Sequence, residues 1–201
     1  NNIVGFDVDL ATEAAKRMGM EPKMQVVNWD TKELELDSGN IDAIWNGLSV
    51  TPEREEAMLM TKPYLKNDQV IVVKKDSGKN VGLQKGSSAY DAFEADDIHT
   101  KVAGMNEYPE NVSALQDLGI GRIDAVIVDS VVARYYISSE KADYVILDES
   151  LSPETYAVAV KKGNTELQGK IQKAIDDMVA DGTAAEISKK WFGEDIFYTG
   201  N

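Results

Sequence analysis

The sequence predicts an α/β fold in two lobes, each a mainly parallel sheet flanked by helices. Three observations carry this. Short apolar runs alternate with amphipathic helical segments from one end of the chain to the other. The strand–helix order restarts after residue 75, and two apolar strands that each run into Lys-Lys, Val70–Val73 and Tyr156–Val160, bracket the middle third. The pentapeptide Gly-x-Ile-Asp-Ala occurs twice, in Gly39–Val50 (GNIDAIWNGLSV) and in Gly121–Val132 (GRIDAVIVDSVV). One lobe is expected from residues 1–70 plus 161–201 and the other from 76–155. The crossings are expected near 70–75 and 156–160.

The elements follow in order. Ile3–Val8 reads as a short strand. Asp9–Met18 reads as a helix, with Leu10, Ala14 and Met18 on one face and Gly19 past its end. Lys23–Val27 is a second strand, Trp29–Asp37 a turn and helix, and Ile41–Trp45 a buried strand. Thr51-Pro52 opens a helix. The other lobe reads as strands at Asn80–Gln84, Lys101–Met105, Ile123–Val128 and Tyr144–Leu147. Helices are expected through Phe93, over Pro109–Leu118 and over Ser130–Ile137. Two helices, Thr165–Asp181 and Thr183–Trp191, close the chain.

Composition narrows the function. The chain has 201 residues, 43% of them hydrophobic, which is enough for two separate cores. Acidic residues outnumber basic ones 35 to 21, a formal net charge of −14. Such a surface repels nucleic acid and anionic membrane, so neither is expected as a partner. There is no cysteine, hence no disulfide or thiolate chemistry. No apolar run approaches the roughly 20 residues of a membrane span. The chain opens at Asn1-Asn2 without a signal peptide, as a secreted protein does after processing.

The two copies of the pentapeptide end differently. The first runs into Ser49-Val-Thr-Pro-Glu-Arg54. Thr51 suits the N-cap and Pro52 the first helical position. Arg54 opposes the helix dipole, a conflict that a bound anion would remove. Its planar fork matches a carboxylate, Gly47 permits close backbone approach, and Ser49 adds a hydroxyl. An ordinary helix start whose Arg pairs with a surface acid reads the same way. The second copy ends in Asp129, outside the carboxyl end of an apolar strand, where α/β sheets gather ligand groups. Asp129 there could accept from an ammonium group or could simply cap the next helix. Together an anion trap and a lone acid match the zwitterion of a free amino acid.

These stretches resemble a known family. Gly5-Phe6-Asp7-Val8-Asp9-Leu10-Ala11, Gly39–Arg54, Val81–Ser88, Ile123–Asp129 and the run from Gly182-Thr183 to Lys189-Lys190-Trp191-Phe192-Gly193 are similar, in order, to motifs of the polar amino acid-binding solute receptors of ABC importers. These are bacterial extracellular solute-binding proteins of family 3, with the periplasmic-binding-protein type II fold. The resemblance implies that Arg54 clamps the ligand α-carboxylate, helped by Ser49 and the backbone at Gly47. Ser88 would add a donor, and Asp129 would accept from the α-ammonium. Trp29 would wall the ligand side chain and Gln84 would read it, with Asn46 flanking the site. It further implies a monomer outside the cytoplasm, periplasmic or at the cell surface and possibly lipid-anchored. The monomer would close by hinge motion on one amino acid and dock on a membrane permease. No cofactor is expected. The family's usual first strand, before the Gly-Phe-Asp signature, is not found here, and a short segment near 76–79 reads as lacking.

Enzymatic readings find little support in the residues. The single histidine, His99, lies in an acidic loop without a nucleophile motif. Asp7 and Asp9 suit a helix start, and no metal set is visible. A lyase built on the same fold and a ligand-sensing receptor ectodomain remain the alternatives.

Overall fold

The structure, a computed structural model, describes residues 3–74, 79–198 and 200. The expected gap near 76–79 therefore lies largely outside the described residues. In chain order the elements are α1 (Phe6–Arg17), a 3-10 turn (Trp29–Thr31), α2 (Lys32–Ser38), β1 (Ala43–Ile44), α3 (Pro52–Ala57), β2 (Met58–Met60) and β3 (Leu65–Lys74). Then come β4 (Asn80–Gln84), α4 (Ser88–Ala95), a 3-10 turn (Asp97–Thr100), β5 (Gly104–Tyr108), α5 (Asn111–Gly119), β6 (Ala125–Asp129) and α6 (Ser130–Glu140). The last are β7 (Tyr144–Tyr156), β8 (Ala159–Lys161), α7 (Thr165–Ala180) and α8 (Thr183–Phe192).

The chain forms two compact units. The first comprises residues 1–27, 32–66 and 155–201, and the second 28–31 and 67–154. The chain thus changes unit inside β3 and again inside β7. Val70–Val73, expected at a crossing, pair with β6 inside the second unit's sheet. An apolar run marks burial, and burial does not distinguish a connecting strand from a central one.

In the first unit the sheet order is β1-β8-β2, and β8 runs antiparallel to both neighbours. This departs from the mainly parallel sheet expected there. β8 arrives from the far end of the chain and inserts between two early strands, a pairing that no local pattern announces. Helices α1, α7 and α8 pack on one another. Their buried stripes include Leu10 and Ala14, Ile171, Ile175 and Met178, and Ala184. Arg17 ties α1 to α8 by donating to Thr183 Oγ1 at 2.9 Å and pairing with Asp181 at 2.8 Å.

Ile3–Val8 is not a strand: α1 begins at Phe6, and Val4 is 70% exposed. Asp7 and Asp9 favour the first helical turn, and a strand needs a neighbour to bond. Lys23–Val27 is irregular for the same want of a ladder.

The second unit holds a five-stranded sheet of order β5-β4-β6-β3-β7. β4 is parallel to β5 and β6, while β3 is antiparallel to β6. Consecutive residues of β3 and β6 serve opposite faces. Val70, Val72, Val126 and Val128 join Leu115 and Leu118 of α5 and Ala133 of α6. Ile71, Ala125 and Ile127 join Leu83, Ala89 and Phe93. Both faces are covered, so these strands read as continuous apolar runs rather than alternating ones.

Candidate ligand-binding site

In the first unit the expected carboxylate residues cluster around the start of α3. Thr51 caps that helix, its hydroxyl accepting from Arg54 N–H at 3.3 Å, and Pro52 takes the first helical position. The cap turns the Arg54 side chain inward. It is buried, at 6% exposure, and its Nη1 donates to the Ser49 carbonyl at 2.9 Å. Glu33 lies 3.9 Å from its Nε. Ser49 is buried and forms an isolated antiparallel bridge with Tyr156. The guanidinium is therefore positioned by backbone, which favours a defined fork over a mobile surface charge.

Gly47 has φ +57°, and a Cβ there would meet the Tyr156 ring at 3.2 Å, so conformation and space both require glycine. Its N–H donates to Asp7 Oδ2 at 2.8 Å, and Tyr64 Oη donates to Asp7 Oδ1 at 2.8 Å. Burial pushes the Asp7 carboxyl up to about 6, against the lowering effect of those two bonds. Asp7 therefore does more than complement the α1 dipole: it fixes the loop that carries Gly47. Asn46 is exposed beside it. Trp45 lies in the same loop, its ring 6.3 Å from that of Tyr64.

The second unit carries the other expected residues. Asp129 ends β6 and occupies the N-cap position of α6, yet its side chain makes no capping hydrogen bond. Its Oδ1 instead accepts from Asn67 Nδ2 at 2.5 Å and Gln69 Nε2 at 2.7 Å. Its carboxylate is thus engaged by side-chain amides rather than by the start of α6. Ser88 opens α4, is buried, and accepts from the same Gln69 nitrogen at 3.3 Å. Ser88 and Asp129 thus meet on one amide. Gln84 ends β4 but donates its Nε2 to the Pro109 carbonyl at 2.9 Å, outside that network. Trp29 is half-buried in the 3-10 turn that belongs with this unit. Its neighbour Asp30 pairs with Lys85 at 3.0 Å, and a Cβ at Gly86 would come 3.0 Å from the Asp30 backbone.

Sequence reasoning missed Asp7, Asn67, Gln69 and Glu154. Asn67 and Gln69 did leave a signal. They are uncharged amides that alternate with the charged Lys66 and Asp68 along β3, hence on one face and buried together. Among the described residues no group of His, Cys, Asp and Glu could hold a metal ion, and no helix is long and apolar enough to cross a membrane.

Comparison with known proteins bears on this arrangement. The sequence model of the bacterial extracellular solute-binding proteins, family 3, matches residues 1–194. The L-cystine-binding protein TcyJ of Escherichia coli K12 is 30% identical over 96% of this chain and 76% of its own length. The arginine-binding extracellular protein ArtP of Bacillus subtilis is 32% identical over 96% of this chain and 79% of its own. A crystal structure of an ABC uptake transporter substrate-binding protein from Streptococcus pneumoniae with bound histidine superposes with a TM-score of 0.92. It is 40% identical and covers 99% of this chain and 87% of that one.

Proposed function

Because the chain belongs to the bacterial extracellular solute-binding proteins of family 3, we propose that it captures one free polar L-amino acid and delivers it to the membrane permease of an ABC importer. The family is one of binding proteins, so the chain acts by binding rather than by catalysis. The similar proteins are named for cystine, arginine and histidine, all polar amino acids.

The observation that carries the reading is the division of charge. One unit holds a buried guanidinium anchored on backbone, and the other a strand-end carboxylate held by amides rather than spent on a helix cap. Arg54 takes the α-carboxylate through parallel N–H bonds, with the Ser49 hydroxyl and, once rotated from Glu154, the Ser88 hydroxyl as further donors beside the loop that Gly47 shapes. Asp129 accepts from the α-ammonium. Trp29, Gln84 and Asn46 belong to the side-chain end. Ligand binding shifts the population of conformers, and that shift is the signal a permease reads.

The test is a thermal-shift screen against the twenty amino acids, followed by calorimetry. A ligand that binds the native state raises the melting temperature by mass action. A shift from one or a few polar amino acids supports the reading; a folded protein that responds to none refutes it.

A further inference from the structure

Five side chains of the second unit form a network that this reading uses only in part. Asn67 and Gln69 come from β3, Ser88 from α4, Asp129 from β6 and Glu154 from β7. Gln69 is fully buried, and Asn67 and Ser88 nearly so. The Gln69 Nε2 donates to Asp129 Oδ1 at 2.7 Å and to Glu154 Oε2 at 3.0 Å. The Asn67 Nδ2 approaches the same two oxygens at 2.5 and 3.3 Å. The Ser88 hydroxyl donates to Glu154 Oε2 at 3.1 Å.

An amide nitrogen carries two hydrogens: Asn67 directs both at the two acids, and Gln69 shares its two among the acids and the more distant Ser88 hydroxyl. The carboxylate oxygens are no farther apart than two hydrogen bonds laid end to end. These donors are neutral, and they orient the oxygens. A separate observation points the same way. The Gln69 Oε1 is buried without a hydrogen-bond partner among the described residues. Flipping the amide would aim that oxygen at two carboxylates. The orientation therefore serves the acids and leaves a buried acceptor unsatisfied, an arrangement that costs free energy.

We propose that Glu154 is a second specificity-determining acceptor for the ligand α-ammonium, set beside Asp129 by the amides of Asn67 and Gln69. An ammonium has three N–H donors spread tetrahedrally, and one carboxylate cannot serve them all. Asp129 and Glu154 together take two of them. The pair selects a free primary amine and rejects ligands in which that amine is acylated or replaced by hydroxyl. The proposal rests on the amino acid reading above.

The experiment is calorimetry on the full chain with two probes: the amino acid that wild type binds most tightly, and its 2-hydroxy analogue. Glu154→Gln is expected to reduce the preference for the amino acid over the analogue about tenfold or more. Without ligand, the variant is expected to keep a cooperative unfolding transition. Glu154→Asp, which keeps the charge on a shorter arm, is expected to lose less, and it serves as the probe if Glu154→Gln does not fold. An unchanged preference in the variant overturns the proposal and leaves the amino acid reading standing. Wild type that binds no amino acid overturns both.

Discussion

Arg54 is the residue on which the proposed carboxylate recognition turns. Its guanidinium is already out of water and braced by the Ser49 carbonyl. Truncation leaves the ligand carboxylate buried without its counter-charge, a loss of about 2–5 kcal/mol. Arg54→Ala is therefore expected to abolish measurable amino acid binding by calorimetry while the protein still unfolds cooperatively. Asp7 makes a different prediction. Its folded pKa of about 6 lies above the ordinary carboxyl value of 3.8. Between these values the folded chain keeps a proton that the unfolded chain has lost. Its contribution is therefore full below pH 4 and is lost as pH rises through 6. The size is up to about 3 kcal/mol. Asp7→Asn should flatten that slope in melts run from pH 4 to pH 7; an unaltered slope would show that the carboxyl titrates normally. Arg54 and Asp129 stand out in the sequence as candidates because charged residues at element ends are conspicuous. Asp7 was misread as a dipole partner alone, because the Gly47 N–H it holds is forty positions away.

At the scale of elements, α3 is too short to persist on its own and depends on its cap. The Thr51 hydroxyl satisfies the Arg54 N–H. Thr51→Ala should cost about 1 kcal/mol in denaturant unfolding, with ligand affinity falling because Arg54 sits in that first turn. β4 makes the opposite point, since it lacks a side chain where one would not fit. A Cβ at Gly82 would lie 2.5 Å from Ile123 Cδ1 and 2.9 Å from Tyr108 Cε2. Gly82→Ala should destabilise the protein by about 1–3 kcal/mol through overpacking, measured by urea titration. Helices α7 and α8 and strand β4 were read almost to the residue, since strong periodicity or turn signals bound them. β2 went unread: only pairing with β8 makes Met58–Met60 a strand.

For the whole molecule, a formal charge of −14 on 201 residues means self-repulsion in the compact state. Screening by salt weakens that repulsion between exposed charges. Raising sodium chloride from low to physiological concentration should therefore raise the melting temperature. Ion pairs such as Lys170–Glu166 and Lys173–Asp177 lie exposed along α7 and contribute little against it. A melting temperature that falls with salt would show that attractive pairs outweigh the net charge. The two-unit organisation was foreseeable from the restart of the strand–helix order. The residues at which the chain changes unit were not, because β3 and β7 run through those points without a break.

The repeated pentapeptide separates what each level decides. Both copies place their glycine in the left-handed region, Gly39 at φ 77° and Gly121 at φ 74°, so the sequence alone set the local turn. It also determined the apolar runs, the capped start of α3 and the opposite charges at the two ends. The tertiary structure decided what each copy became. Ala43–Ile44 is a two-residue strand held by β8 alone. Ala125–Asp129 is a full strand between β4 and β3, and its last residue meets the amides of Asn67 and Gln69. A strand is defined by the hydrogen bonds of its neighbours, and those neighbours lie tens of residues away in the chain. The grouping of Asn67, Gln69, Ser88, Asp129 and Glu154 has the same origin: distant segments meet only when the sheet assembles.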